Sequence, residues 1–156
     1  MRTDLSRIDV LTRREIEALI SGPLIRAFIR EVGREKALAV VGKVIESLAF
    51  ENGVQLAKQM GNNSLTAFAE GLSAWGTGGA YEMEQLELSE TRYEFNINRC
   101  QYAEMYKELG MADLGVILSC SRDFELVAGF NPRMKLTRTK TIMKGCDHCD
   151  FRIAME

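Results

Sequence analysis

The feature that most restricts the fold of this chain is a change of hydrophobic period near residue 80. Before it, apolar residues return at helical spacing; after it the period becomes two, returns to helical, and ends at two. A helix-period stripe and a strand-period stripe cannot substitute for one another, so the order of elements follows from the pattern.

Leu19, Ile20, Leu24, Ile25, Phe28 and Ile29 form the first stripe, read as a helix with one buried face in which Pro23 marks a start or a kink. After Gly33 a second stripe through Leu38, Val41, Val44, Ile45, Leu48 and Ala49 gives a longer helix that runs toward Gly61. Asn63 and Ser64 offer a cap for a third helix carrying Leu65, Phe68, Leu72 and Trp75, and Gly76-Thr77-Gly78-Gly79 ends it.

Leu86 and Leu88, then Tyr93, Phe95 and Ile97, alternate with polar residues on either side of a tight connection at residues 88–92, the pattern of an antiparallel hairpin. Residues 101–109 and 112–128 return to helical spacing around Gly110, and Asn131-Pro132 closes them. Met134–Met143 is rich in β-branched residues, and Phe151, Ile153 and Met155 alternate, which adds two strands. The expected fold is α+β: N-terminal helices on a four-stranded antiparallel sheet, with a helical insert between the strand pairs, in one domain spanning 1–156.

Composition narrows the function classes. The net charge is −2 with no basic block, which argues against nucleic acid as a partner. Residues 1–7 lead into no signal-peptide core and no apolar run reaches the ~18 residues of a membrane span, so no membrane and a cytoplasmic location are expected. The four cysteines, Cys100, Cys120, Cys146 and Cys149, all lie in the last 57 residues of the chain. In a reducing compartment they are buried fillers, metal ligands or reactive thiols.

Strand alternation places Asn96, Asn98 and Cys100 opposite Tyr93, Phe95 and Ile97, either as a polar pocket wall ending in a thiol or as a solvated face. Glu104, four residues after Cys100, is a proton acceptor or a surface charge. Cys120 and Asp123 share a helix face, where the carboxylate would raise the thiol pKa; Asp123 suits a base, or an acceptor for an amidine, better than a thiol activator. Thr137, Thr139 and Thr141 form a hydroxyl ladder on one face of the third strand, and Arg138 on the other needs a carboxylate partner, from the protein or from a ligand. Gly145-Cys146-Asp147-His148-Cys149 holds the only histidine and a C-x-x-C spacing; zinc is conceivable there, but no second closely spaced pair exists, so no metal or other cofactor is expected.

Asn98-Arg99-Cys100-Gln101-Tyr102-Ala103-Glu104, Leu109-Gly110, Cys120 with Asp123, Arg138-Thr139-Lys140-Thr141, and Gly145 with Cys149-Asp150-Phe151 together resemble the signature of the L-2-amino-thiazoline-4-carboxylic acid hydrolase family. Trp75 and Gly78-Gly79-Ala80 extend the likeness over about residues 15–155. The resemblance implies hydrolytic opening of a cyclic amidine-like ring: water adds at C2 of a 2-amino-thiazoline carboxylate and a carbamoyl-cysteine results.

Two routes suit the residues implied. Cys100 or Cys149 attacks as a thiolate, the favoured route, or Asp123 or Glu104 activates water. Asn98, Cys120, Arg138, Thr139, Thr141 and Asp150 then become substrate-binding candidates, while Cys146 and His148 fall in variable positions of the pattern. The Gly…Cys-x-Phe ending also resembles the four-vinyl-reductase domain, which implies a rival function: a non-catalytic small-molecule-binding or sensor module. The width of the N-terminal stripes leaves room for a homo-oligomer built through those helices.

Overall fold

A computed structural model of the protein describes residues 7–156; the expectation that the first residues form no signal peptide therefore lies almost wholly outside the described residues. Two long helices lead, α1 (Val10–Val32) and α2 (Arg34–Met60), followed by α3 (Leu65–Leu72) and an irregular 3-10 segment over Ser73–Gly79. The hairpin β1 (Tyr81–Leu88) and β2 (Arg92–Cys100) comes next, then α4 (Gln101–Glu108), α5 (Ala112–Gly115), a π-helical turn at Val116–Cys120 and α6 (Arg122–Phe130). β3 (Met134–Thr137) and β4 (Cys149–Met155) close the chain. All strand pairs are antiparallel in the order β1-β2-β4-β3, so the fold is the α+β class that the periodicity predicts.

The helix starts follow from local chemistry. Asp9 accepts the Thr12 amide at 2.8 Å and Ser64 accepts the Ala67 amide at 3.1 Å, each satisfying a donor that the first helical turn leaves free. Gly33, at φ 87°, separates α1 from α2 without a connecting loop.

Five sequence expectations need correction. On α1 the side turned to the protein carries Ala18, Gly22 and Ile25, whereas Leu19, Ile20, Leu24 and Phe28 are about half exposed. Small residues allow the close approach, with Gly22 against Met111. Ile16, Ile20, Leu24, Phe28 and Val32, four apart, thus form an outer apolar stripe, and Val40, Val44 and Leu48 do the same on α2. Pro23 lies inside α1 and neither starts nor ends it. The single helix expected over 112–128 is interrupted by the π turn.

The third strand stops at Thr137, because Asp150 takes the amides of Thr139 and Lys140 and the Thr139 hydroxyl. Those amides would otherwise continue a ladder, so the Thr137-Thr139-Thr141 face does not form.

A β-bulge supplies the fifth correction. Glu82 pairs with Arg99 but Met83 pairs with Ile97, leaving Asn98 as an extra residue in β2. One unpaired residue reverses the alternation beyond it. Cys100 therefore comes to the side of Phe95 and Ile97, not to that of Asn98.

Two apolar clusters meet at this point. One, containing Phe68, Tyr93, Phe95, Val127, Phe130 and Ile153, joins the sheet to α3 and α6. The other, containing Ala18, Ile25, Ile45, Tyr106, Leu114 and Met143, joins α1 and α2 to the α4–α5 region. Cys100 and Ile142 pack against both.

Candidate functional site

Between the two clusters lies a cavity of about 150 Å³. An engineered cavity of roughly that size, lined by apolar side chains, holds one benzene molecule. The space therefore suits a single ring and not a long chain. Its wall is predominantly apolar and aromatic, with Trp75, Tyr81, Phe95 and Phe151 as the rings that matter most. Tyr81 donates to the Leu72 carbonyl and Tyr102 to the Trp75 carbonyl, both at 3.0 Å, and these bonds hold the irregular Ser73–Gly79 segment beside the cavity.

The polar groups of the wall are few. Asp123, in the first turn of α6, accepts from Arg138 Nη1, and Arg138 Nη2 donates to the Cys120 carbonyl at 2.8 Å. The guanidinium lies between two rings, 5.1 Å from the centroid of Phe124 and 5.0 Å from that of Phe151. Phe151 in turn stacks on Phe95 at 4.7 Å. Arg138 is thus closed in, with 7% of its side chain accessible, whereas Asp123 keeps 34%. Asp123 lines the cavity, so that open surface includes the side facing it. Burial raises the Asp123 carboxyl above its ordinary 3.8, and the Arg138 charge works against the rise.

Three thiols line the cavity: Cys100, Cys120 and Cys149. Burial pushes Cys100 up to about 11 and Cys120 up to about 12, with the Asp123 charge the next contribution at Cys120. The like-charge effect expected from the Cys120/Asp123 spacing is present, second to burial. The buried Thr141 hydroxyl sits 3.6 Å from Cys120 Sγ and 3.7 Å from Cys149 Sγ, and Cys149 Sγ also accepts the Ile142 amide at 3.3 Å.

Of the sequence candidates, Cys100, Cys120, Asp123, Arg138, Thr141 and Cys149 meet at the cavity. Asn98, Glu104, Thr139 and Asp150 do not line it. Asn98 donates to Glu84 across the hairpin, and Glu104 pairs with Arg99 at 2.9 Å on the surface, which holds its carboxyl below the usual range. Asp150 holds the Thr139–Lys140 loop: burial raises its carboxyl, but the Thr139 hydroxyl and the loop amides outweigh that and leave it low.

Among the described residues no group of three or more His, Cys, Asp or Glu side chains is placed to hold a metal ion, and His148 contacts Asp147 at 3.1 Å. No helix among the described residues is long and apolar enough to cross a membrane.

Among the cavity residues that sequence reasoning missed are Arg14 of α1 and Arg122 of α6. Arg122 adjoins Asp123, a weak signal; Arg14 sits in a charged run that reads as a solvated helix face.

Helices packed on a four-stranded antiparallel sheet, with a cavity between the two apolar clusters, define an α+β protein. The sequence matches the family described as L-2-amino-thiazoline-4-carboxylic acid hydrolase over residues 13–153, and the chain belongs to that family. Comparison with curated proteins gives no match. Among solved structures, the fold is similar to trafficking protein particle complex subunit 3 from Naegleria fowleri, covalently bound to palmitic acid. The TM-score is 0.57 at 13% identity, covering 92% of this chain and 95% of that one. It is also similar to the phenol-responsive sensory domain of the transcription activator PoxR with phenol. Here the TM-score is 0.55 at 14% identity, covering 86% and 72% respectively.

Proposed function

We propose that the protein is a hydrolase that opens a small cyclic amidine-like heterocycle such as 2-amino-thiazoline-4-carboxylate, with Asp123 as the general base. The observation that carries this reading is a carboxylate held on one side by Arg138 and open on the other to a cavity sized for one ring. Asp123 takes a proton from water as the water oxygen bonds to C2 of the ring. Asp123 passes that proton to the ring nitrogen, which receives the C=N electron pair; it then takes the proton of the new C2 hydroxyl as the carbonyl forms and a ring bond at C2 breaks, and gives it to the departing heteroatom, so that a carbamoyl-cysteine leaves.

At Cys100 the thiolate route has less support, because burial holds that proton far above neutral pH. The thiols, Thr141 and the rings then serve as the wall that excludes bulk water. The location consistent with this reading is the cytoplasm, and the reaction needs no metal or other cofactor.

The test incubates purified, chelator-treated protein with 2-amino-thiazoline-4-carboxylate and follows carbamoyl-cysteine by mass spectrometry, alongside Asp123→Asn. Product from the wild type and none from a folded Asp123→Asn variant supports the reading. No product from the wild type, with or without added zinc, rejects it.

A second reading is favoured by the apolar wall itself: a ligand-binding module without turnover, as the phenol-bound sensory domain of similar fold illustrates. Saturable binding of a single-ring compound that is recovered unchanged, with no turnover of the thiazoline, would select it.

A further inference from the structure

Arg138 is the arginine that the sequence marks for a ligand carboxylate, yet its donors go to Asp123 and the Cys120 carbonyl and its faces to two rings. Arg14 and Arg122 differ. Both line the cavity, and their side chains are only 12% and 13% accessible. They share one counter-ion: Glu17 Oε2 lies 2.6 Å from Arg14 Nη1 and 3.6 Å from Arg122 Nη2, on a side chain that is 43% accessible. Beyond that, Arg122 Nε donates to the Leu118 carbonyl at 2.7 Å, and among the described residues the other N–H groups of the two guanidiniums have no hydrogen-bond acceptor.

Charge leads to the same place. Arg138 and Asp123 neutralise one another, whereas Arg14 and Arg122 set two positive charges against one carboxylate. Holding two guanidiniums close together away from bulk water is costly unless an anion completes the set. Burial and the neighbouring Arg14 charge lower the proton affinity of Arg122 to about 10, the effect expected of an undercompensated pair.

We infer that Arg14 and Arg122 form the subsite that receives the carboxylate of a single-ring monocarboxylate ligand held in the cavity. This rests on the cavity being the ligand site, as proposed above, and deepens that reading by naming what fixes the ring's orientation. The planar forks suit two carboxylate oxygens, and the unfilled N–H groups supply the donors. A ring anchored there by its carboxylate stands beside Asp123, whose charge both arginines sense. Glu17 competes with the ligand for the same donors.

The experiment titrates the full chain with benzoate and, separately, with benzamide, following the fluorescence of Trp75, the only tryptophan in the sequence and part of the cavity wall. The two probes share a ring and differ in charge. Wild type is expected to bind benzoate about tenfold or more tightly than benzamide. Arg14→Met and Arg122→Met each remove that preference by weakening benzoate more than benzamide, and Glu17→Gln strengthens benzoate binding.

Equal affinities in the wild type, no benzoate binding at millimolar concentration, or a preference untouched by both arginine substitutions would overturn the inference. The wild-type comparison needs no variant, so a poorly folding Arg122→Met leaves the test intact. Thiazoline turnover without a benzoate preference removes the subsite and keeps the hydrolase; a benzoate preference without turnover does the reverse.

Discussion

Asp123 and Arg138 form an asymmetric pair: the arginine is enclosed by Phe124, Phe151 and the Cys120 carbonyl, while the carboxylate remains open to the cavity. Removing the arginine alone takes from the partly accessible carboxylate the cation that hydrogen-bonds it. Arg138→Met should therefore destabilise the fold by about 3 kcal/mol, in the lower part of the range for a broken buried pair because a third of Asp123 is accessible. Asp123→Asn/Arg138→Met should recover much of that loss. Urea denaturation of the two single variants and the double variant gives the coupling, and additive losses would show that the pair is not energetically linked.

The pH dependence follows from the direction of the Asp123 shift. Burial raises its folded-state pKa above 3.8, so the folded protein holds this proton more tightly than the unfolded chain does. Across the window from 3.8 up to the raised value, this group makes stability fall as pH rises; above the window the penalty is constant. Because the base must be ionised, turnover should have an acid limb above the ordinary carboxylate range. Arg138→Lys, which keeps the charge but not the fork, should move that limb further up. A kcat profile with its acid limb at or below 3.8 would exclude Asp123 as the base.

The thiols separate the two chemical routes. With Cys100 near 11 and Cys120 near 12, only about one molecule in a thousand or fewer carries either thiolate at pH 8. Folded protein should thus leave both thiols almost unmodified by an aryl disulfide reagent at that pH, with labelling rising toward pH 11. Cys100→Ser and Cys149→Ser should each keep more than about a tenth of the turnover. Loss of turnover in either variant at an unchanged melting temperature would return the nucleophile to that sulfur.

How far the sequence exposes this architecture depends on whether a feature is periodic. The helices, the hairpin and the α+β order rest on repeated positions, and they are visible in Phe68, Tyr93 and Ile153 before any coordinates. Cys100 is visible as a residue, but its direction is not: the Asn98 bulge that turns it inward is a single unpaired residue with no periodic mark. Arg138 reads as an arginine in need of a partner and Asp123 as a carboxylate in need of a cation, yet only the fold brings positions fifteen apart together. Arg14 is the opposite case. Its neighbours Arg13, Glu15 and Glu17 make it look like any solvated charge, and burial alone distinguishes it. On α1 the larger apolar side chains drew attention to the wrong face, since Ala18 and Gly22 carry the packing.

Close backbone contact positions the cavity as firmly as side chains do. α2 and α6 cross at Gly53 and Gly129: a Cβ on Gly53 would lie 2.2 Å from the Leu126 carbonyl oxygen, and one on Gly129 would lie 2.1 Å from that of Phe50. Backbone atoms cannot rotate away as a side-chain tip can, so the helices must separate. Gly53→Ala and Gly129→Ala should each cost about 3 kcal/mol or more, lowering the melting temperature by roughly 6–12 °C. Gly42, in the same helix with nothing within 4 Å of its would-be Cβ, is the control. There alanine should stabilise by about 0.5–1 kcal/mol through helix propensity. Because α6 carries both Arg122 and Asp123, any Gly53→Ala protein that remains folded should also lose ligand affinity, whereas Gly42→Ala should bind as the wild type does. Thermal melts and the Trp75 titration on the three variants check both parts. Equal melting temperatures for Gly42→Ala and Gly53→Ala would mean that the two helices do not meet at that glycine.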